Sequence, residues 1–276
     1  MNVGIVGLGL IGGSMARAVK ENTEHIVYGF DLSNSTMLAA KMTGAIDGEL
    51  NGERLPECDI VILSLYPGAT VDYVKANAAS FKKGAVLIDT CGVKRCVCSE
   101  LEDFAAENGF VFLGGHPMAG TQFWGFSHSR ASLFKGASMI IASKGISDIK
   151  LLEKIKSFFE AVGFEELNVT TPERHDEIIA YTSQLAHVVS NAYVKSPTAL
   201  DRKGFSAGSY KDMTRVAKLN VEMWTELFLE NRDNLINEID LLTENLKKYS
   251  DALKSGDEDE LRVLLSDGRE TKKRAG

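Results

Sequence analysis

The chain has little of what stapled, metal-held or membrane-borne proteins depend on. Cysteine occurs four times in 276 residues, at Cys58, Cys91, Cys96 and Cys98, which is no disulfide framework for a chain of this size. The spacing C-x4-C-x-C matches none of the usual zinc patterns, so the four read as reduced thiols, buried or half-buried, and no metal site is expected. No run approaches 18 consecutive apolar residues, so no membrane-spanning helix is expected. The first residues lack the basic flank and small-residue cleavage site of a signal peptide, and the expectation is a cytoplasmic protein. Positive charge is in deficit, 31 Lys+Arg against 38 Asp+Glu for a net charge of −7. Such a field repels polyanions and argues against nucleic-acid and membrane-surface binding. The basic tip Lys272-Lys273-Arg274 reads as a solvated tail.

What the chain does have is length and alternation. A chain of 276 residues buries roughly three quarters of its unfolded surface on folding, enough for one large or two modest domains. Apolar runs at Val3–Val6, Ile26–Phe30, Ile60–Leu65, Val86–Asp89, Phe110–Leu113 and Ser138–Ala142 alternate with helical patterns at Ile11–Asn22, Ser33–Thr43, Ala69–Phe81 and Lys94–Asn108. Continuous Val/Ile/Leu runs suit parallel strands covered on both faces, and the alternation predicts a doubly wound α/β domain. A further helix at Ile149–Val162 and a strand at Glu166–Thr170 complete it, giving a first domain over residues 1–170.

From Thr171 the pattern is helical. Thr171-Pro172-Glu173 is a helix start, with Thr at the N-cap and Pro at the first helical position. The spacing predicts a helix over Glu173–Lys195, a connection at Ser196–Asp212, one long helix from about Val221 to Leu253, and a short last helix at Asp259–Leu265. In the long helix Val221, Trp224, Phe228, Leu235, Ile239, Leu242, Leu246, Tyr249 and Leu253 step by threes and fours, with Asn231 filling one heptad position. An apolar seam of that length implies a partner helix, supplied either within the chain or by a second copy. Residues 171–276 therefore read as an all-helical C-terminal domain.

Gly7-Leu8-Gly9-Leu10-Ile11-Gly12 follows the first strand and opens the first helix. In that context Gly7 permits the tight turn, Gly9 lets the backbone approach a pyrophosphate, and Gly12 allows close helix–strand packing. The helix N-terminus offers unpaired N–H groups to the phosphates. Asp31 ends the second strand about twenty residues on, where a carboxylate accepts the ribose hydroxyls and repels a 2′-phosphate, which favours NAD over NADP. The plainer reading of Asp31 is a cap for the helix near Ser33.

Gly114-Gly115-His116-Pro117-Met118-Ala119-Gly120-Thr121 lies just past the predicted end of a strand, where doubly wound sheets bind ligands. A histidine between a glycine pair and a proline reads as a residue of a stiff loop with a functional role. Further on, at 100° per residue, Asp176, Ser183, His187 and Ser190 share one helix face, with Ile178, Tyr181, Leu185, Val188, Val189 and Ala192 opposite. A solvated face is the plain explanation, but the stripe carries no Lys, Glu or Arg and suits a cleft wall.

With GLGLIGG, DTCGVK, GGHPMAGT, HDEIIAYTSQLAH and KDMTRVAKLNVEMW in this order, the chain resembles the prephenate/arogenate (cyclohexadienyl) dehydrogenases from Asn2 to about Leu253. The resemblance implies a Rossmann-type sheet followed by an all-helical domain that forms a homodimer. It implies NAD-dependent oxidative decarboxylation of prephenate to 4-hydroxyphenylpyruvate, or of arogenate to tyrosine. His116 matches the family's catalytic histidine, and an imidazole that titrates near 6.5 is a neutral base at pH 7. Ser183 and His187 match a Ser and a His that face the active site, Ser183 as a second catalytic candidate beside His116 and His187 as a substrate-binding one. The family often has Pro before that His; Ala186 stands here, so a straighter helix is expected. Arg215 matches the arginine that receives a substrate carboxylate, with Asp212 three residues earlier placed to hold its fork. Thr121 matches a pocket-lining position, although the following Gln122-Phe123-Trp124 departs from the usual charged pair.

Lys94 reads as support for the cofactor or the substrate anion. Many members have a serine near the catalytic histidine where Gly92 stands, which leaves Thr90 or a water for that contact. Trp224 has two readings, a cover over substrate and a seam residue. Two other classes fit less well. A β-hydroxyacid dehydrogenase carries a catalytic lysine on the first long interdomain helix, where only Lys195 appears, at its end. A non-catalytic NAD sensor needs neither His116 nor Arg215.

Overall fold

A computed structural model describes residues 1–145, 148–205 and 207–276. Eight strands form one sheet: β1 (Asn2–Val6), β2 (Ile26–Phe30), β3 (Gly48–Glu49), β4 (Ile60–Leu63), β5 (Val86–Asp89), β6 (Val111–Pro117), β7 (Ser138–Ala142) and β8 (Glu166–Thr170). Their order is β3-β2-β1-β4-β5-β6-β7-β8. The chain winds outward from β1 in both directions, so the switch point lies between β1 and β4. The sheet is mixed where a parallel one was expected: β7 pairs antiparallel with β6, and every other pairing is parallel. The two-residue β3 is too short for a periodic signal.

Helices α1 (Leu10–Asn22), α2 (Asn34–Met42), α3 (Pro67–Ala76), α4 (Arg95–Asn108) and α5 (Ile149–Val162) cover both faces of the sheet. One face packs Val3, Ile5, Ile60, Ile62 and Ile88 against α1 and α5, with Phe134, Phe158, Phe159 and Phe164 filling the far end. The other packs Val6, Val61, Leu63 and Leu87 against Val97, Leu101 and Ala105 of α4. Alternate residues of one strand serve opposite faces, and each such fully buried side chain contributes about 1.5–3 kcal/mol.

The rest is helical: α6 (Pro172–Ile179), a π-helical turn at Ala180–Leu185, α7 (Ala186–Tyr193), α8 (Gly208–Thr214), α9 (Val221–Glu230), α10 (Arg232–Ser255) and α11 (Glu258–Ala275). The Thr171 hydroxyl caps α6 by accepting from Arg174 N, and Asn220 and Asp257 cap α9 and α11 in the same way. Within the predicted connection Ser196–Asp212, residue 206 lies outside the described residues, and α8 occupies its second half. The basic tip at Lys272-Lys273-Arg274 is exposed as expected, yet helical, because α11 runs ten residues past its expected end at Leu265.

Two helical expectations fail for identifiable reasons. The single helix from Val221 to Leu253 is two helices that part at Asn231. Asn231 is fully buried; its amide donates to Asp176 O at 2.8 Å and Gln184 Oε1 at 2.9 Å, and its oxygen accepts from Arg95 Nη2 at 3.0 Å. The side chain that interrupts the heptads thus ties the helical region to α4. Nor is the helix before Ala186 a regular α-helix throughout. An extra residue enters the turn Ala180–Leu185 without any proline, and Gln184 at that turn is buried and donates to Leu227 O at 3.1 Å.

Candidate active site

The carboxyl ends of β1, β4, β5 and β6 share one edge of the sheet. Gly7 takes a left-handed φ of +85° to leave β1, a conformation that favours glycine. Its N–H donates to Phe30 O at 2.8 Å. A Cβ on Gly12 would lie 1.9 Å from Gly7 O, so no side chain fits there, whereas one on Gly9 would meet nothing within 4 Å. Gly9 is the N-cap of α1 and no side chain answers the first N–H groups of that helix. The result is an open cradle of amide donors, a fit for a pyrophosphate.

Asp31 borders the cradle. One carboxylate oxygen accepts Leu8 N at 2.8 Å and the other Ser33 N at 2.9 Å. The cap of α2 is the Ser33 hydroxyl, not Asp31. Each carboxylate oxygen keeps a free lone pair, the acceptor that ribose hydroxyls require.

Along the same edge, Thr90 Oγ1 donates to Ser64 Oγ at 3.2 Å, and Asp89 Oδ1 accepts Gly115 N at 3.0 Å. His116 follows. It lies in β6 opposite Ile140 rather than on a loop past the strand. The glycine pair that resembled a loop is needed for packing: a Cβ on Gly114 would lie 2.5 Å from Cys98 Sγ, and one on Gly115 would lie 2.3 Å from Asp89 O. Strand geometry holds the half-buried His116 ring more firmly than a loop would. Loss of water, then the neighbouring His175 and Lys94, hold its pKa well below its ordinary value, so the ring is neutral at pH 7.

Among the described residues Thr90 bonds Ser64 and Leu63 rather than His116, and Gly92 has no side chain to offer. The contact comes from His175 on α6, whose Nε2 lies 2.9 Å from His116 Nδ1, with the rings edge to face and their centroids 5.1 Å apart. His175 Nδ1 in turn lies 2.7 Å from Asp176 Oδ1. Asp176 also accepts the backbone N–H of Lys94 at 2.7 Å and of Arg95 at 2.9 Å, capping α4 from another element. Burial lowers the His175 pKa, and the Asp176 hydrogen bond only partly offsets that. His175 was invisible to helix periodicity because it faces inward one residue before Asp176; the His-Asp pair ahead of the Ser/His stripe was its only signal.

Lys94 does not face an open cleft. Its side chain has no exposure, its ammonium is paired with Asp89 and donates to Gly115 O at 2.7 Å. Burial opposes the charge most strongly, but the Asp89 carboxylate and the neighbouring Cys91 and Cys98 together hold the pKa above its ordinary value. The expected contact of Lys94 with cofactor or substrate is therefore replaced by support of the strand that carries His116.

His187 lies on α7, half-buried, its Nδ1–H donating to Ser183 O at 2.8 Å and its ring stacked on Trp224 with centroids 3.8 Å apart. That bond leaves Nε2 as a free acceptor. Burial lowers its pKa, the Ser183 bond opposes this, and the charge of Arg215 lowers it further. Ser183 is half-buried and joins His187 through its carbonyl. Arg215 follows α8 and is exposed; among the described residues it has no ion-pair partner. Asp212 is exposed and does not hold the Arg215 fork, a pairing worth little at an open surface. Thr121 is exposed on the loop after β6, its hydroxyl bonded to Phe123 N at 3.1 Å, with Phe123 and Trp124 exposed beside it.

The predicted stripe does not form as drawn. Asp176 and Ser190 are buried, while Ile178 and Tyr181 from the opposite side are 42% and 63% exposed. The π-helical turn shifts the register, so Ser183 and His187 leave the face that Asp176 occupies.

The family profile described as prephenate dehydrogenase, nucleotide-binding domain, matches residues 15–166, and that of the prephenate dehydrogenase dimerization domain matches residues 171–267. A cyclohexadienyl dehydrogenase of Zymomonas mobilis is 29% identical over 99% of this chain and 94% of its own length. A prephenate dehydrogenase of Bacillus subtilis is 28% identical over 86% of this chain and 66% of its own. The crystal structure of Aquifex aeolicus prephenate dehydrogenase with hydroxyphenyl propionate and NAD+ superposes with a TM-score of 0.88 at 28% identity, covering 100% of this chain and 98% of that one. A Salmonella typhimurium 3-hydroxyisobutyrate dehydrogenase shares the fold alone, at a TM-score of 0.61 and 16% identity over 96% of this chain and 99% of that one. No described helix is long and apolar enough to cross a membrane.

Proposed function

This chain belongs to the prephenate dehydrogenase family of NAD-dependent oxidoreductases, and from that premise we propose that it converts prephenate to 4-hydroxyphenylpyruvate on the route to tyrosine. The observation that carries the reading is the neutral His116 ring, held in β6 on the sheet edge that also bears the glycine cradle. The chain divides at residues 170 and 171 into a nucleotide-binding domain and a helical substrate and dimerisation domain. Its free thiols suit a reducing, cytoplasmic compartment.

Gly7, Leu8, Gly9, Leu10, Ile11 and Gly12 hold the pyrophosphate of NAD against the N-terminus of α1, and Asp31 accepts the ribose hydroxyls. When bound, the nicotinamide supplies the hydride acceptor. Arg215, exposed and with no ion-pair partner among the described residues, receives a carboxylate of the dianionic substrate, and Ser183, His187 and Thr121 line its pocket. His116 takes the proton of the C4 hydroxyl as hydride leaves C4. The bond from C1 to its carboxylate then breaks, its electron pair completes the aromatic ring, and CO2 departs. A ring whose pKa is held below its ordinary value is in the proton-accepting form at pH 7.

NADH formation with purified protein and prephenate, then arogenate, tests the reading. Turnover is expected with NAD, with prephenate preferred, and His116→Asn should lower kcat at least about a hundredfold while NAD still binds. No turnover with either substrate, or near-normal turnover by His116→Asn, overturns it.

A further inference from the structure

Two adjacent residues of α6 stand behind His116 in a buried line, and their hydrogen bonds have one consistent polarity. Asp176 sits at the N-terminus of α4, where both carboxylate oxygens accept backbone N–H groups and Oδ2 also meets Arg95 Nε at 3.4 Å. With both oxygens accepting N–H donors, the carboxylate acts here only as an acceptor. His175 Nδ1 must then carry the proton of the 2.7 Å bond to Asp176. Its Nε2 is left with a lone pair, and the proton of the 2.9 Å contact must sit on His116 Nδ1. His116 Nε2 is thereby the bare nitrogen.

We propose that His175, oriented by Asp176, is a positioning residue that fixes His116 as its Nδ1–H tautomer and so leaves Nε2 free to take the substrate proton. This rests on the reading of His116 as proton acceptor. The arrangement meets a specific need of this chain, since Gly92 has no side chain and Thr90 turns to Ser64, so no hydroxyl from that loop orients the ring. The same line answers the charge that develops: an imidazolium at His116 donates from Nδ1 to His175, backed by the Asp176 carboxylate. The other charged groups facing the line are Lys94 and Asp89, which neutralise each other, and Arg95, which also pairs with Asp233. Outer partners that fix the tautomer of a metal-bound histidine are worth about 10- to 100-fold, and an effect of that order is expected here.

The test uses the full chain with NAD bound. Imidazole ¹⁵N spectra at pH 7 should show His116 in the Nδ1–H form, against the preference of free imidazole side chains in water for Nε2–H. His175→Phe keeps an aromatic ring but offers no acceptor; kcat should fall about 10- to 100-fold with both KM values within about twofold, and His116 should move toward Nε2–H. His175→Gln places an amide oxygen near the former Nε2 and should regain most of the lost kcat. Finding His116 as Nε2–H in the unsubstituted protein overturns the proposal even if neither variant folds. So does unchanged kcat in His175→Phe, or a Gln variant no better than Phe. Full turnover by His116→Asn would instead remove the underlying base assignment while leaving the tautomer measurement standing.

Discussion

Lys94 carries a charge where no water reaches it, and Arg215 carries one in the open. The contrast separates scaffold from site. Lys94→Met leaves the Asp89 carboxylate buried with only the N–H groups of Cys91 and Gly115. Denaturant unfolding should show a loss of about 3–5 kcal/mol, with the KM for prephenate of the folded enzyme within about twofold. Arg215→Ala should do the reverse, raising the KM for prephenate about tenfold or more, as loss of a charge-assisted pair of about 1.5–3 kcal/mol requires, with little change in stability. A Lys94 variant of normal stability and poor KM would return that lysine to the substrate. Both residues lie in loops after structured elements, and nothing local distinguishes a cation that folds inward from one that points out. Burial at Lys94 comes from Asp89 five residues back and Gly115 on the next strand.

The same issue recurs at the level of a helix. Heptad spacing carries Val221 to Leu253 through Asn231 as if it were one rod, yet the amide there serves Asp176, Gln184 and Arg95 and the rod breaks. Asn231→Leu would repair the heptad and strand those partners; each buried group left unsatisfied costs about 1–3 kcal/mol. We expect a net destabilisation of at least about 2 kcal/mol in denaturant melts, whereas a more stable variant would mean that the seam outweighs the polar network. Between Pro172 and Tyr193 the reversal is sharper still. Polar His175, Asp176, Gln184 and Ser190 face inward, and apolar Ile178 and Tyr181 face out. Amphipathicity locates two faces of a helix but not which one the protein covers.

Over the whole molecule, exposed apolar side chains gather on the C-terminal helices. Leu246, Leu253, Val263 and Leu265 are at least 60% exposed, with Ile236 and Leu241 nearby on α10. Within the chain α10 packs on α11, Tyr249 donating to Leu264 O at 3.2 Å, while Leu246 and Leu253 of the predicted seam stay exposed. Exposed apolar side chains of this kind suit an interface, in keeping with the matched dimerization domain. Sedimentation should give a dimer, and Leu246→Asp with Leu253→Asp should give a monomer. A monomeric parent protein would leave the seam without its partner.

The strand-and-helix alternation of the first domain and the glycine turn that opens α1 were legible in the amino-acid sequence, because each rests on neighbours within a few residues: strand runs, caps, a turn that only glycine takes; the candidate roles of Asp31 and His116 came from motif position and family resemblance. Contacts between residues far apart in the chain were not. His175 meets His116 across 59 positions, Asp176 caps α4 across 82, and Asn231 joins α6 across 55. No periodicity encodes such distances. They exist only once the helical region closes on the sheet, and that closure decides which lysine is buried, where the long helix breaks and which nitrogen of His116 is free.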